Sequence, residues 1–443
     1  MSESLIKAPL NVENININLL KPYSNNAKAH PEFQIQQIAS SIREFGFNNP
    51  ILIDENNEII AGHGRLEAAK LINLKNVPSI RLSHLSNAQK RAYRLADNKI
   101  SENGGWNEEL LRLELSELEL ICNDFNLDIT GFSDIEIDVL LDNTENKVDA
   151  KTNYIPYIPE NEIITKQGYV WKLGKHRIIC GNSLEENTFT QLFLDKKANM
   201  VLQDPPYNVK ISGHVCGSGA VQHKEFAFAS GEMKSHEFTD FLMTNFKLCC
   251  QFSLPGSLHY NFMDWRHISE IMQAGNQTFS NFVNMCVWVK SSGGMGSLYR
   301  SQHELCFIFK NGTDKHTNNV ELGKNGRYRT NVWQYAGVNS FGRHKNDIKL
   351  HPTVKPVEMF KDAILDVSNR GDIILDCFLG SGSTLIAAQH AKRTCYGIEY
   401  EPLYVDTAIR RYSEIFDEDA VLESTGQTYS ELLKEKREAI NVQ

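Results

Sequence analysis

The sequence predicts an α/β protein in which a small α+β unit precedes a largely parallel sheet with helices on both faces. Three observations predict this. After about residue 165, short β-rich runs alternate with amphipathic helical runs, the pattern of a parallel sheet wrapped by helices. Before about residue 100, strands and helices also mix, in shorter pieces. Between the two, "NKVDAKTNYIPYIPEN" loses periodicity and carries two prolines, so a linker is expected there.

The elements follow in order. In "HPEFQIQQIASSIREFGF", Ile35, Ile38, Ile42 and Phe45 recur at spacings of three and four, one face of a helix closed by Gly46. "PILIDENNEIIAG" reads as two strands around an Asn-Asn turn, "RLEAAKLINL" as a helix and "VPSIRL" as a strand. From Asn107 to about Leu141 the pattern is acidic and helical. Past the linker, "KHRIICGN" and "NMVLQ" are strands on either side of a helix around "LEENTFTQLFL". "SHEFTDFLMTNFKLCCQF" is helical and "SLHYNFM" a strand, while "FVNMCVWVK" and "ELCFIFK" are rich in β-formers. "VEMFKDAILDVSNR", "DIILDCF", "STLIAAQHAK" and "TCYGIE" close the alternation as helix, strand, helix and strand. The divisions expected are 8–100, an acidic helical segment over 101–145, a linker over 146–164, the α/β domain over 165–416 and a charged tail over 417–443.

A chain of 443 residues exceeds one ordinary core, and 41% hydrophobic residues suffice to build two. No apolar run reaches membrane-spanning length, and the first residues carry no secretory signal. The nine cysteines form no CxxC pair, so neither a zinc site nor a disulfide scaffold is expected, no metal is assigned, and the setting reads as reduced and cytoplasmic. The net charge of −9 argues against a polyanionic partner only until its distribution is seen. Ser101–Ala150 holds 14 acidic residues against two basic ones, so the remainder carries a small positive excess.

Two loops carry the chemistry. "DIILDCFLGSGSTLIAA" is a strand, a glycine loop and a helix start. It lacks the Gly-Lys-Ser/Thr of a P-loop and has Leu385 where the dinucleotide fingerprint wants a third glycine. What remains suits an adenosine-like ligand with no phosphate to cradle. Glu399 lies at the end of the next strand, where an acid can take up ribose hydroxyls. In "VLQDPPYNV", Asp204 offers a carboxylate, Pro205 a carbonyl at a fixed angle, and the prolines no competing amide hydrogens. Two such acceptors would turn the lone pair of a base amine out of the ring plane, with Tyr207 stacked on the base. Both loops fall at carboxyl ends of strands, where parallel sheets bind ligands.

Together, "DPPY" and the later "FLGSGS" resemble the DNA amino-methyltransferases that use S-adenosylmethionine, in the motif order of their circularly permuted β group. "HPTVKPVEMF", "VWVKSSGGMG" and "SQHELCFIFK" resemble further stretches of that family, over roughly residues 165 to 415. The resemblance implies a Rossmann-like sheet and methyl transfer to the exocyclic amine (N6) of a flipped-out adenine in double-stranded DNA; the serine form of the tetrapeptide is more typical of cytosine-N4 enzymes. It assigns Asp204, Pro205, Pro206 and Tyr207 to catalysis. Asp376, Phe378, Gly380, Ser381, Gly382 and Glu399 would bind the cofactor, with Thr353 and Lys355 flanking its methionine part. Asn182 stands where the family has an aspartate near the cofactor adenine. The segment at about 312–349 would read the target, and its Lys324, Arg327, Arg329, Arg343 and Lys345 are expected on DNA. A homodimer and a cognate restriction endonuclease are further candidate partners. Carbon methylation of cytosine is disfavoured, because no Pro-Cys dipeptide occurs.

"NEIIAGHGRLEAAKLI" resembles the ParB/sulfiredoxin-like fold, over roughly residues 8 to 100. The resemblance implies phosphate or nucleotide binding by Gly62, His63, Gly64 and Arg65 at a helix N-terminus. It leaves open a rival in which the chain is a non-catalytic ParB-like DNA-binding protein.

Overall fold

Strands apolar on both faces must be covered on both faces, and this decides the architecture of the larger part of the chain. The computed structural model describes residues 11–121, 127–142, 150–209, 231–291, 293, 298–323, 326–337 and 354–441. The chain divides into two units, Met1–Leu141 and Asp142–Gln443.

The first unit contains β1 (Val12–Asn16), α1 (Glu32–Phe45), β2 (Ile51–Ile53), β3 (Ile59–Ala61), α2 (His63–Leu71), β4 (Asn76–Arg81), α3 (Asn87–Glu102), α4 (Glu108–Ile121) and α5 (Asp134–Asp142). Its sheet runs β1-β4-β2-β3, with β2 and β4 parallel and the outer pairs antiparallel. Ile15, Ile51, Ile53, Ile59, Leu66 and Val77 form its core. A smaller core of Leu115, Leu127 and Ile137 holds the acidic helices together. That segment is thus a packed subdomain, with Glu108, Glu109, Glu114, Glu117 and Glu136 exposed and Asp138 buried.

The second unit contains β5 (Val170–Leu173), β6 (His176–Cys180), α6 (Glu186–Phe193), β7 (Ala198–Gln203), α7 (Ser235–Gln251), β8 (Ser253–Met263), α8 (Ile268–Thr278), β9 (Asn281–Val289), β10 (His303–Lys310), β11 (Val332–Gln334), α9 (Val357–Val367), β12 (Ile373–Asp376), α10 (Ser383–His390), β13 (Thr394–Glu399), α11 (Pro402–Phe416), β14 (Val421–Leu422) and α12 (Tyr429–Asn441). The sheet order is β11-β9-β10-β8-β7-β12-β13-β6-β5-β14. Its middle, β8-β7-β12-β13-β6, is parallel throughout. Side chains alternate along each middle strand. Met200, Ile374 and Cys395 face the core shared with α9, α10 and α11. Val201, Leu375 and Tyr396 face the core shared with α6. This is the expected two-faced sheet. The β9–β10 pair is an antiparallel hairpin, which alternation alone did not foretell.

Two expected boundaries are corrected. The linker does not run free to residue 164: Asp406 on α11 accepts the backbone N–H groups of Ile164 (2.5 Å) and Thr165 (3.1 Å), and Arg411 donates to the carbonyl of Thr152. Nor is 417–443 a tail. β14 pairs with β5, and Tyr429 at the start of α12 is buried edge-on against Trp171 at 5.6 Å. Burial of a side chain of that size stabilises by about 1.5–3 kcal/mol, so the charge of the segment hides an apolar inner face.

Candidate active site

The parallel middle of the sheet has a switch point. From β7 the chain passes through α7 to β8 on one side, and from β12 through α10 to β13 on the other. β7 and β12 are neighbours, with Val201 beside Leu375, so the loops after them diverge and leave a crevice at their carboxyl ends. The Asp204–Tyr207 loop and the Cys377–Gly382 loop form its two walls.

On the glycine side, Gly380 and Gly382 have φ of 52° and 84°, a region a side chain resists. Gly382 also lets α11 approach, since an added Cβ would lie 2.9 Å from the Cβ of Ala408. Asp376 accepts the N–H of Phe378 at 2.9 Å and the hydroxyl of Thr384 at 2.5 Å. Glu399 accepts the N–H of Gly380 at 2.8 Å and that of Glu401 at 2.8 Å. Burial pushes both carboxyls up to about 7, further than these bonds pull them down. Two buried acids beside an open glycine turn can accept the hydroxyls of a sugar. Cys377, 2% exposed beside Cys249, is a packing residue. Asn182 folds back on its own loop: its Oδ1 accepts from Leu184 N–H, and its Nδ2 donates to Glu185.

On the proline side, Asp204 is the centre of an ion cluster. Lys355 Nζ donates to Asp204 Oδ2 at 2.5 Å and also lies 3.0 Å from Glu304 Oε2. The Tyr207 hydroxyl donates to Asp204 Oδ1 and lies 3.2 Å from Glu304. Lys290 holds the other oxygen of Glu304. Burial raises the Asp204 carboxyl, and the Lys355 ammonium opposes it. Burial would raise Glu304 too, but the ammoniums of Lys355 and Lys290 prevail and hold it at about 2. Pro205 is buried and Pro206 half-buried. The loop ends at Asn208, whose φ of 52° turns the chain and whose side chain pairs with the backbone of Gly231 and Met233.

The expected residues therefore converge from two loops, with qualifications. Lys355 was expected at the cofactor's methionine end. Its carbonyl does accept the Ser383 hydroxyl at the start of α10, but its ammonium is on Asp204. Arg327 and Arg329 are corrected. Both guanidiniums turn inward onto Asp362 and Asp366 of α9, and Arg329 also donates to Tyr335, so they brace the segment against α9 instead of standing free for phosphate. Part of the expected insertion is itself structural, since β11 adds a parallel strand beside β9 and Trp333 is buried. Thr353, Lys324, Arg343 and Lys345 lie outside the described residues. Sequence reasoning missed Glu304, Lys290 and Arg411. The fully buried Arg411 donates to the Ser381 carbonyl and hydroxyl and so supports the glycine loop from beneath. Glu304, a lone acid opening an apolar strand, was the one with a signal to find.

In the first unit, Gly62 caps α2 with φ of 104°. Arg65 donates to the carbonyls of Asn49 and Pro50, and His63 Nε2 accepts the N–H of Tyr23. Burial, with help from His30 and Arg94, lowers the His63 imidazole to about 4, so it is neutral near pH 7. A cleft of about 310 Å³ is lined by Tyr23, Lys28, Arg91, Arg94, Asn98 and Glu102 among others. Among the described residues no cluster of His, Cys, Asp or Glu could hold a metal ion, and no helix is long and apolar enough to cross a membrane.

Three families match the chain. Residues 198–410 match DNA methylase, residues 3–99 the ParB N-terminal domain, and residues 109–167 the ParB-methyltransferase HTH domain, which spans the acidic helices. Type II methyltransferase M.HpaI of Haemophilus parainfluenzae is 25% identical over 261 residues, 54% of this chain and 75% of that protein. The ParB-like nuclease domain-containing protein YnaK of Escherichia coli is 50% identical over 72 residues, 16% of this chain and 83% of that protein. The crystal structure of an M1.HpyAVI–SAM complex aligns with a TM-score of 0.38 at 21% identity, covering 53% of this chain and 97% of that one.

Proposed function

The chain belongs to the DNA methylases of the N6/N4 type, with a ParB domain ahead of the methylase domain, and from that premise we propose that it methylates the N6 amine of an adenine flipped out of double-stranded DNA, with S-adenosylmethionine as donor. The observation that carries this reading is the meeting of Asp204 with the glycine loop in one crevice. The aspartate of the tetrapeptide supports adenine over cytosine.

S-adenosylmethionine, when bound, supplies an electrophilic methyl group. Glu399 would accept the ribose hydroxyls, and Asp376, Phe378, Gly380, Ser381 and Gly382 would form the rest of its cradle. The amide of Asn182 would border the adenine, with Thr353 and the backbone of Lys355 at the methionine end. Asp204 and the Pro205 carbonyl accept the two amine hydrogens of the target base, which turns the nitrogen lone pair out of the ring plane. Tyr207 supplies a ring against which the base stacks. Asp204 is also the base within reach of the proton that the methylated amine sheds. Lys324, Arg343 and Lys345 remain proposed DNA contacts. The type II relatives make a restriction–modification setting with a partner endonuclease part of the proposal.

Mass spectrometry of nucleosides from DNA incubated with the protein and S-adenosylmethionine tests this. We expect N6-methyladenine, and a loss of at least about 100-fold in Asp204→Ala. N4-methylcytosine would replace the adenine reading, and no methylated base at all would end the proposal.

A further inference from the structure

The acceptor expected to receive the base amine is already occupied. Lys355, only 3% exposed, places its ammonium 2.5 Å from Asp204 Oδ2, and the Asp204 side chain is 20% exposed. A lysine ammonium and an exocyclic amine offer the same chemistry, N–H donors aimed at a carboxylate. Lys355 also has a second acceptor at hand, Glu304 Oε2 at 3.0 Å. Glu304 is itself anchored by Lys290, the residue that follows the neighbouring strand β9, so it stays in place whichever way Lys355 leans.

We propose that Lys355 is a positioning residue that stands in for the substrate amine, keeping Asp204 ionised and aimed while the crevice holds no base and withdrawing onto Glu304 when the base arrives. The inference rests on the methyltransferase reading and adds a part to it. Its electrostatic logic is direct. A carboxyl taken out of water tends to hold its proton, and a protonated Asp204 has lost the charge that orients the amine. The groups facing Asp204 are Tyr207 on its own loop, Glu304 and Cys306 on β10, Lys355 ahead of α9 and Asp376 on β12, with Lys290, just past β9, behind Glu304. Of these, Lys355 lowers the carboxyl and Glu304 raises it. Removing the two must therefore move Asp204 in opposite directions, which loosening of the fold would not do.

The test is the pH profile of kcat/KM for DNA at saturating S-adenosylmethionine, which keeps Asp376 and Glu399 covered by cofactor. In Lys355→Met the acid limb should rise by about one to three pH units, with activity recovering toward wild type at high pH. In Glu304→Gln the limb should fall, and Lys355→Arg should restore it. Unmoved limbs, or limbs that move the same way, overturn the inference. Lys355→Met/Glu304→Gln loses one charge of each sign and serves if the single variant folds poorly; its limb should also lie above wild type, and an unmoved limb overturns the inference. The same shifts are readable without turnover from the Asp204 carboxyl resonance of [¹³C]aspartate-labelled protein, assigned with Asp204→Asn. A wild type that methylates no DNA defeats the functional reading, whereas an active wild type with unmoved limbs defeats this inference alone.

Discussion

Glu399 accepts two backbone N–H groups and is nevertheless pushed up to about 7 by burial, while Glu304, flanked by two lysines, is held at about 2. The two have opposite linkage to folding. Glu399 binds its proton more tightly folded than unfolded, so its contribution to stability is full below about 4.5 and is lost as the pH rises through 7. Glu304 contributes above about 4.5, and that contribution is lost as the pH falls toward 2. Chemical denaturation of wild type and Glu399→Gln between pH 5 and 8 should show the wild-type advantage shrinking by on the order of 2–3 kcal/mol as the pH rises. A constant difference would refute the buried, high-pKa state. At this scale the sequence was legible where the signal was local. Asp204 and Gly380 stand just after strands, in stretches whose prolines and glycines announce unusual backbone. The partnership of Lys355 with Asp204 crosses 151 residues, and no local pattern encodes it. Arg327 and Arg329 show the converse: a count of charges does not say which way a side chain turns, and the carboxylates of α9 turned these inward.

Helices and strands were legible in proportion to their periodicity. The face of α1 and the alternation from β6 to β13 were plain, because each element repeats one pattern that its burial demands. The antiparallel setting of β9 and β10 was not, because composition marks a strand and not its direction. The close contact of α10 with α11 depends on Gly382, the left-handed residue that caps α10. Gly382→Ala must tolerate that conformation and a methyl 2.9 Å from Ala408, which together should cost about 2–4 kcal/mol. We expect a lower urea midpoint and weaker S-adenosylmethionine binding by calorimetry. Unchanged values in both would mean the loop does not need its tight seat.

Each unit of the whole molecule has its own sheet and its own core, so each has the means to fold alone. As a hypothesis, the ParB-like unit helps the methylase domain hold DNA and move along it. Deleting residues 1–141 should leave a folded protein that still methylates, with lower DNA affinity and fewer sites methylated per encounter. Single-molecule sequencing of singly engaged substrates reads that number, and undiminished processivity and affinity would remove the unit's role. The packed α12 marks where reading a chain by its surface charge fails. Its polar side chains are those of a tail, yet Tyr429 at its start belongs to the core.

By itself, the sequence determined the two-unit plan, the covered sheet and the two loops of the crevice, because periodicity, proline and glycine act on neighbouring residues. Only the tertiary structure decided what stands against Asp204, which arginines are consumed by α9, and that the segment after residue 416 packs onto the sheet. Those outcomes depend on charges and apolar faces brought together from distant stretches, where burial raises the cost of every unmatched group.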